Sequence, residues 1–270
     1  MWGFSRDPVE LKVQRGVLRS IMVLTWILGF ALLGSVGAIA AAATFLLFPK
    51  AIRERAVPFL ISYATGTLLG AALLGLLPQA VEQGGRLESL ASVLVGLIVF
   101  FVLERLLIWR HCHHAGGCEV HGAAGQLILV GDALHNFVDG IVISAAFLSS
   151  IPLGIATGIA VIAHELPQEV GDFAVLLDNG FSRRRALKWN LISGSATIPG
   201  ALLGYLALEE SSRLMGPILA LSAASFLYIG LADLIPGLHR RIGSEAGIAQ
   251  FLLLLAGVGT IVVLNLHHGG

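Results

Sequence analysis

Eight stretches of this 270-residue chain, near residues 20–48, 58–80, 89–109, 124–148, 152–178, 186–208, 215–236 and 246–266, are apolar over about the 20 residues that a helix needs to cross hydrocarbon. In hydrocarbon each backbone N–H and C=O must find a partner inside the protein, so only helices and closed barrels can span. These runs are too long for barrel strands. The expected fold is therefore an all-α polytopic membrane protein with eight transmembrane helices and both ends on one side. Composition supports the class, since 56% of residues are hydrophobic and only 13% charged, against roughly 25% charged in soluble domains. Zero formal net charge gives no electrostatic footprint for nucleic acid. The first apolar run is too long, and lacks the small-residue site, for a removable signal peptide.

Two adjacent apolar segments nevertheless carry nearly all the intramembrane polar chemistry. The first reads Gly131-Asp132-Ala133-Leu134-His135-Asn136-Phe137-Val138-Asp139-Gly140, and the second His164-Glu165-Leu166-Pro167-Gln168-Glu169-Val170-Gly171-Asp172-Phe173. Ionisable groups at this depth are costly and by default face a bundle interior or water path, where they mark function. Residues three and four apart share a helix face, so His135 projects with Asp139 and Asp132. By the same rule His164 pairs with Gln168, and Glu165 with Glu169 and then Asp172. The short Ser149–Pro152 connection makes the two segments antiparallel neighbours whose polar groups can converge. Imidazole and carboxylate donors without thiolate suit zinc, iron, manganese or cadmium better than copper(I). Pro167 removes a backbone hydrogen bond and leaves the carbonyl of Ala163 without its helical donor. A purely structural polar network between two helices needs only one or two such residues.

Outside this pair, residues 1–19 mix Arg6, Lys12, Arg15 and Arg19 with apolar residues and are expected to form a tail or an interfacial helix, leaving 20–270 as one transmembrane domain. The connection 110–123 holds His111, Cys112, His113, His114, Cys118 and His121, a tract suited to labile metal capture, in a spacing that matches no closed zinc module. Cys112 and Cys118 are the only cysteines, too few for a disulfide framework. Placing the termini outside puts eleven of the 17 Lys and Arg residues in the inner connections, among them Arg183, Arg184, Arg185 and Lys188. The cytoplasmic side carries that excess. The expected location is the cell (inner) membrane, multi-pass, with both termini extracytoplasmic and the histidine-rich connection cytoplasmic.

These residues resemble the ZIP (Zrt/Irt-like) divalent metal transporters, in particular the subfamily with HNFxDG on the fourth helix and HExPHExGDF on the fifth. His135 to Gly140 matches the first motif completely, and His164 to Phe173 matches the second except at Gln168. The resemblance extends to Gly66-Thr67-Leu68-Leu69-Gly70, to Leu103-Glu104-Arg105, and to Phe226-Leu227-Tyr228 with Asp233 and Pro236. It implies eight helices in a 3+2+3 arrangement with inverted repeats, and two metal subsites on the fourth and fifth helices. In that family the positions matching His135, Asp139, His164 and Gln168 line one subsite. Those matching Asn136, Asp139, Glu165 and Gln168 line the other. Asp132, Glu169 and Asp172 are further metal or pathway candidates. The second and seventh spans, superimposed on Pro78 and Pro236, share a short apolar likeness of the kind inverted repeats leave.

The function so implied is transmembrane movement of divalent ions into the cytoplasm, zinc first, with cadmium, iron or manganese as other cargo. No prosthetic group and no enzyme activity are expected, and the partners are the metal, the bilayer and a second copy in a homodimer. Two departures bear on selectivity. Gln168 replaces a histidine with a neutral amide that cannot titrate, and the second helix has Ala71, Gly75 and Gln79 where the subfamily carries acidic or histidine residues. The alternative readings are a membrane metal sensor without transport and an intramembrane zinc metalloprotease. The protease chemistry wants H-E-x-x-H with a second histidine four residues on, where this chain has Gln168.

Overall fold

Apolar runs with no water to satisfy their backbones fold as helices, and the described residues contain no other regular structure. The computed structural model describes residues 8–112, 121–239 and 246–266. Among them eight helical rods follow in order. Helix α1 comprises Pro8–Leu32, a π-helical segment Leu33–Gly37 and Ala38–Phe45; α2 comprises Lys50–Gly70, a π segment Ala71–Leu76 and Leu77–Gly84. Then come α3 (Arg86–Cys112), α4 (His121–Ser149) and α5 (Ile151–Asp178). Helix α6 is Arg183–Gly194 continued by Thr197–Glu210, α7 is Met215–Tyr228 with a π segment Ile229–Leu234 and Ile235–His239, and α8 is Ala246–Leu266. Seven of these contain a run long and apolar enough to cross a membrane. The eighth, α5, is 28 residues long and holds His164, Glu165, Glu169 and Asp172. Helix α1 passes without a break through Arg19 and Ser20, where the sequence suggested a boundary.

Many large apolar side chains face outward, as with Leu94, Ile98 and Phe101 on α3 and Ile248, Phe251 and Leu252 on α8. Small ones fill much of the inside, among them Ala145, Ala146, Ala156, Ala160, Ala220, Ala223 and Ala224, around fully buried large ones such as Leu68, Phe147 and Phe226. Lipid offers no hydrophobic gain for hiding leucine, so close packing of small residues is what joins such helices. At two interfaces the approach is backbone to backbone. A Cβ on Gly140 of α4 would lie 2.1 Å from the carbonyl oxygen of Thr197 on α6, and one on Gly200 would lie 2.1 Å from that of Phe137. Gly66 and Gly257 do the same between α2 and α8, with built Cβ atoms 2.0 Å from Leu254 O and 2.4 Å from Tyr63 O.

Helices α4 and α5 lie together near the centre, with α1 and α6 packed against them on one side and α2, α7 and α8 on the other. Their connection is tight because Ser150 caps α5, its Oγ accepting the Leu153 N–H at 3.3 Å, and Pro152 occupies the first turn. Helices α2 and α7 share a local irregularity: each π segment begins seven residues before a proline, Ala71 before Pro78 and Ile229 before Pro236. Pro78 has no N–H for the carbonyl of Leu74, and the Asn265 amide of α8 donates to that oxygen at 3.2 Å.

Candidate metal centre

The four-residue period of α4 puts His135 and Asp139 on one face, and the antiparallel turn at Ser150 brings the middle of α5 against it. There His135, Asp139, His164 and Glu165 each offer one ligand atom, all within 4.8 Å of one another. His164 Nε2 lies 3.1 Å from Asp139 Oδ2 and 3.5 Å from Glu165 Oε1. His135 Nε2 lies 3.7 Å from Asp139 Oδ2, 3.5 Å from Glu165 Oε1 and 3.2 Å from His164 Nε2. Donors about 2.0–2.1 Å from a tetrahedral zinc ion stand about 3.3 Å from each other. The five distances bracket that value, so the group has the size of a four-coordinate zinc site.

Three further observations fit a cation. Asp139, Glu165 and His164 are fully enclosed, while His135 keeps 20% of its side chain exposed and forms the open wall. Both oxygens of Asp139 and both of Glu165 lack a hydrogen-bond partner. Buried carboxylates without donors are costly, and a bound dication supplies what is missing. Finally, His164 Nδ1 lies 2.9 Å from the carbonyl oxygen of Ala160. A carbonyl only accepts, so Nδ1 carries a proton, and in the neutral ring Nε2 turns its lone pair to the centre, the usual way a histidine ligand is oriented. Phe226 of α7 packs edge-on against the same ring, 5.9 Å between centroids.

The other candidate residues stand around this group. Asn136 is buried, donating from Nδ2 to Asp132 Oδ1 at 3.0 Å and to Asp132 O at 3.2 Å. Gln168 is half-buried and donates to Asp132 Oδ1 at 3.4 Å, so its amide nitrogen bridges α5 to α4. Glu169 is buried and accepts from Asn190 Nδ2 of α6 at 2.8 Å, with its other oxygen unpartnered. Asp172 lies one turn beyond Gln168 on α5, partly buried. His113, His114 and Cys118 fall outside the described residues; His111 and Cys112 end α3 and His121 begins α4, with no side chain described.

Sequence reasoning missed the contribution of α6. Thr197 donates to Asn136 Oδ1 at 2.8 Å, and Asn190 holds Glu169. The signal was present, because Asn190, Ser193 and Thr197 recur at helical spacing through an apolar span, but such residues also serve as ordinary interhelical glue.

Comparison with known proteins agrees with this architecture. Residues 110–265 match the family model described as ZIP Zinc transporter, which covers more than half of the chain. The chain is 38% identical over 155 residues to Zinc transporter foi of Drosophila melanogaster, covering 56% of this chain and 21% of that protein. It is 33% identical over 224 residues to Zinc transporter ZIP13 of Pongo abelii, covering 77% and 66%, and 36% identical over 168 residues to Zinc transporter ZIP10 of Mus musculus, covering 58% and 20%. The match therefore spans about a fifth of two of these relatives and just under two thirds of the other. The chain belongs to the ZIP zinc transporter family.

Proposed function

We propose that this chain carries divalent transition-metal ions, zinc foremost, across a membrane into the cytoplasm through the centre formed by His135, Asp139, His164 and Glu165. One observation carries the reading: two imidazoles and two unpartnered carboxylates, spaced for a tetrahedral ion, are buried halfway along two adjacent helices of a membrane bundle. Once ionised, Asp139 and Glu165 balance the charge of a dication. The loaded site is then neutral, which lowers the cost of holding an ion in hydrocarbon. Two nitrogens and two oxygens suit zinc well and accommodate cadmium, iron and manganese. The three relatives named above are zinc transporters by name, which supports the same cargo.

The direction and the location rest on the Lys and Arg distribution, which favours an inner-membrane protein with both termini extracytoplasmic. No covalent step is involved; the centre opens to one side at a time. The test is uptake of zinc, cadmium, iron and manganese into sealed proteoliposomes. Metal-dependent flux that disappears in Asp139→Ala is expected. Wild-type protein that binds zinc tightly but moves none identifies a sensor instead.

A further inference from the structure

We propose that the cavity between α1, α6 and the turn joining α4 to α5 binds the headgroup of a phospholipid that carries both a phosphate and a primary ammonium, as phosphatidylethanolamine does. The cavity holds about 330 Å³, a size within the range of small-molecule sites. It lies at the end of the bundle where α4 stops at Ser149 and α6 at Glu210. Its lining divides in two. Arg19, Ser20, Ser149, Ser150 and Glu209 supply polar groups, whereas Val23, Phe147, Leu148 and Ile151 are apolar. Phe147 is held by Trp26 and Phe30, with ring centroids 6.2 and 5.3 Å away, so the apolar part is already formed. Polar groups beside hydrocarbon, where helices end, fit an amphipathic lipid better than a free ion.

The polar groups supply donors for a phosphate. Ser149 Oγ accepts from Gln83 Nε2 at 3.1 Å, and Ser150 Oγ accepts from the Leu153 N–H at 3.3 Å. Each hydroxyl therefore keeps its own proton to donate. The ion pairs among the described residues do not include Arg19, so its guanidinium fork is open to phosphate oxygens. On the same wall stands an acceptor for the ammonium. Ser20 Oγ donates to Glu209 Oε1 at 3.1 Å, and the carboxylate keeps further lone pairs for an N–H donor.

These charges also choose among headgroups. Arg19 and Glu209 together carry no net charge, so a head with one phosphate and one ammonium is balanced on both sides. A phosphatidylglycerol head has the phosphate but leaves Glu209 without a cation. Phosphatidylcholine has both charges, but its methylated nitrogen has no N–H to donate, and charge-assisted hydrogen bonds are the strong ones. The expected order is ethanolamine, then choline, then glycerol.

None of these residues belongs to the metal centre, and the test needs no metal. Full-length protein purified in detergent is offered phosphatidylethanolamine, phosphatidylcholine and phosphatidylglycerol with identical acyl chains. Retained lipid is counted by native mass spectrometry, and thermal unfolding is followed alongside, because a ligand of the folded state raises the midpoint. The ethanolamine lipid should be retained most and raise the midpoint most. In Glu209→Gln its advantage over the choline lipid should shrink about threefold to fivefold, the size of one partly exposed charge contact. In Arg19→Gln all three lipids should weaken together, since each has the phosphate. Soluble phosphoethanolamine at the same concentration should not displace the lipid; displacement would make this a site for a free phosphate ester and overturn the lipid assignment. Equal retention of the three headgroups by the wild type overturns the proposal without any variant, so a substitution that fails to fold does not shelter it. An ethanolamine preference unchanged in both Glu209→Gln and Arg19→Gln places the lipid elsewhere and overturns it as well.

Discussion

His164 Nε2 stands 3.1 Å from Asp139 Oδ2, the shortest of the five contacts that define the centre. A histidine of α5 and a carboxylate of α4 thus share one point, so neither helix can present a complete site alone. Holding an ion there ties the two helices together. Removing either group leaves the other buried beside an incomplete ligand set.

The first prediction follows from that sharing. His135→Ala and Asp139→Ala should each lower zinc affinity more than about 100-fold, beyond what outer partners of a ligand contribute, while the protein still inserts and purifies. Because histidine must be neutral to ligate, uptake by the wild type should also decline as pH falls. Flux of the two variants in proteoliposomes, and a pH series for the wild type, check both statements. Wild-type transport by either variant removes that residue from the centre.

A second prediction concerns packing. Gly140→Ala drives a methyl group against the Thr197 carbonyl and the Ala201 nitrogen, backbone atoms that cannot rotate away. Helices α4 and α6 must separate, at a cost of about 1–3 kcal/mol or more. Gly29→Ala meets nothing within 4 Å and should change stability by no more than about 1 kcal/mol. Thermal unfolding in one detergent compares them directly, and equal midpoints for Gly140→Ala and wild type contradict the backbone contact.

Third, the histidine and cysteine tract between α3 and α4 should tune uptake rather than permit it. Converting His111, His113, His114 and His121 together to Ser is expected to leave vesicle transport present, because the centre proposed to hold the ion is formed by Asp139, Glu165, His135 and His164. Complete loss of flux with normal insertion would place the tract on the ion path.

How far the sequence carries the reader differs between levels. The helical class was legible because apolar runs of span length have no other way to satisfy their backbones in lipid. The pairing of His135 with Asp139 was legible too, since one helix and its period determine it. The helical period alone did not say which residues of α5 meet them: it pairs His164 with Gln168, and only the family resemblance named the adjacent His164 and Glu165 together, the two that lie beside His135 and Asp139. That depends on how α5 is rotated against α4, which no single-helix pattern encodes. The glycine contacts of α4 with α6 were illegible for the same reason. Gly140, Gly200 and Gly29 look alike in a sequence, and only the neighbour's backbone distinguishes them.

The last prediction tests position 168, where this chain departs from the subfamily motif. The Gln168 amide nitrogen is engaged by Asp132 Oδ1 at 3.4 Å, and the proposed tetrahedral set is made up of four other side chains. Gln168→Ala should therefore be much milder than His135→Ala, reducing zinc affinity by less than about tenfold, as expected for a group outside the ligands. Gln168→His is different in kind. It sets an imidazole four residues after His164, on the same face of α5, and adds a softer nitrogen donor that titrates near neutral pH. The metal ratio in competitive flux should move toward zinc and cadmium and away from manganese, and uptake should become steeper with pH. Two isotopically labelled metals offered together to wild type, Gln168→Ala and Gln168→His decide the matter. A histidine variant with an unchanged metal ratio and an unchanged pH profile would mean that no side chain at 168 reaches the ion, and that the departure from the motif is of no consequence for selectivity.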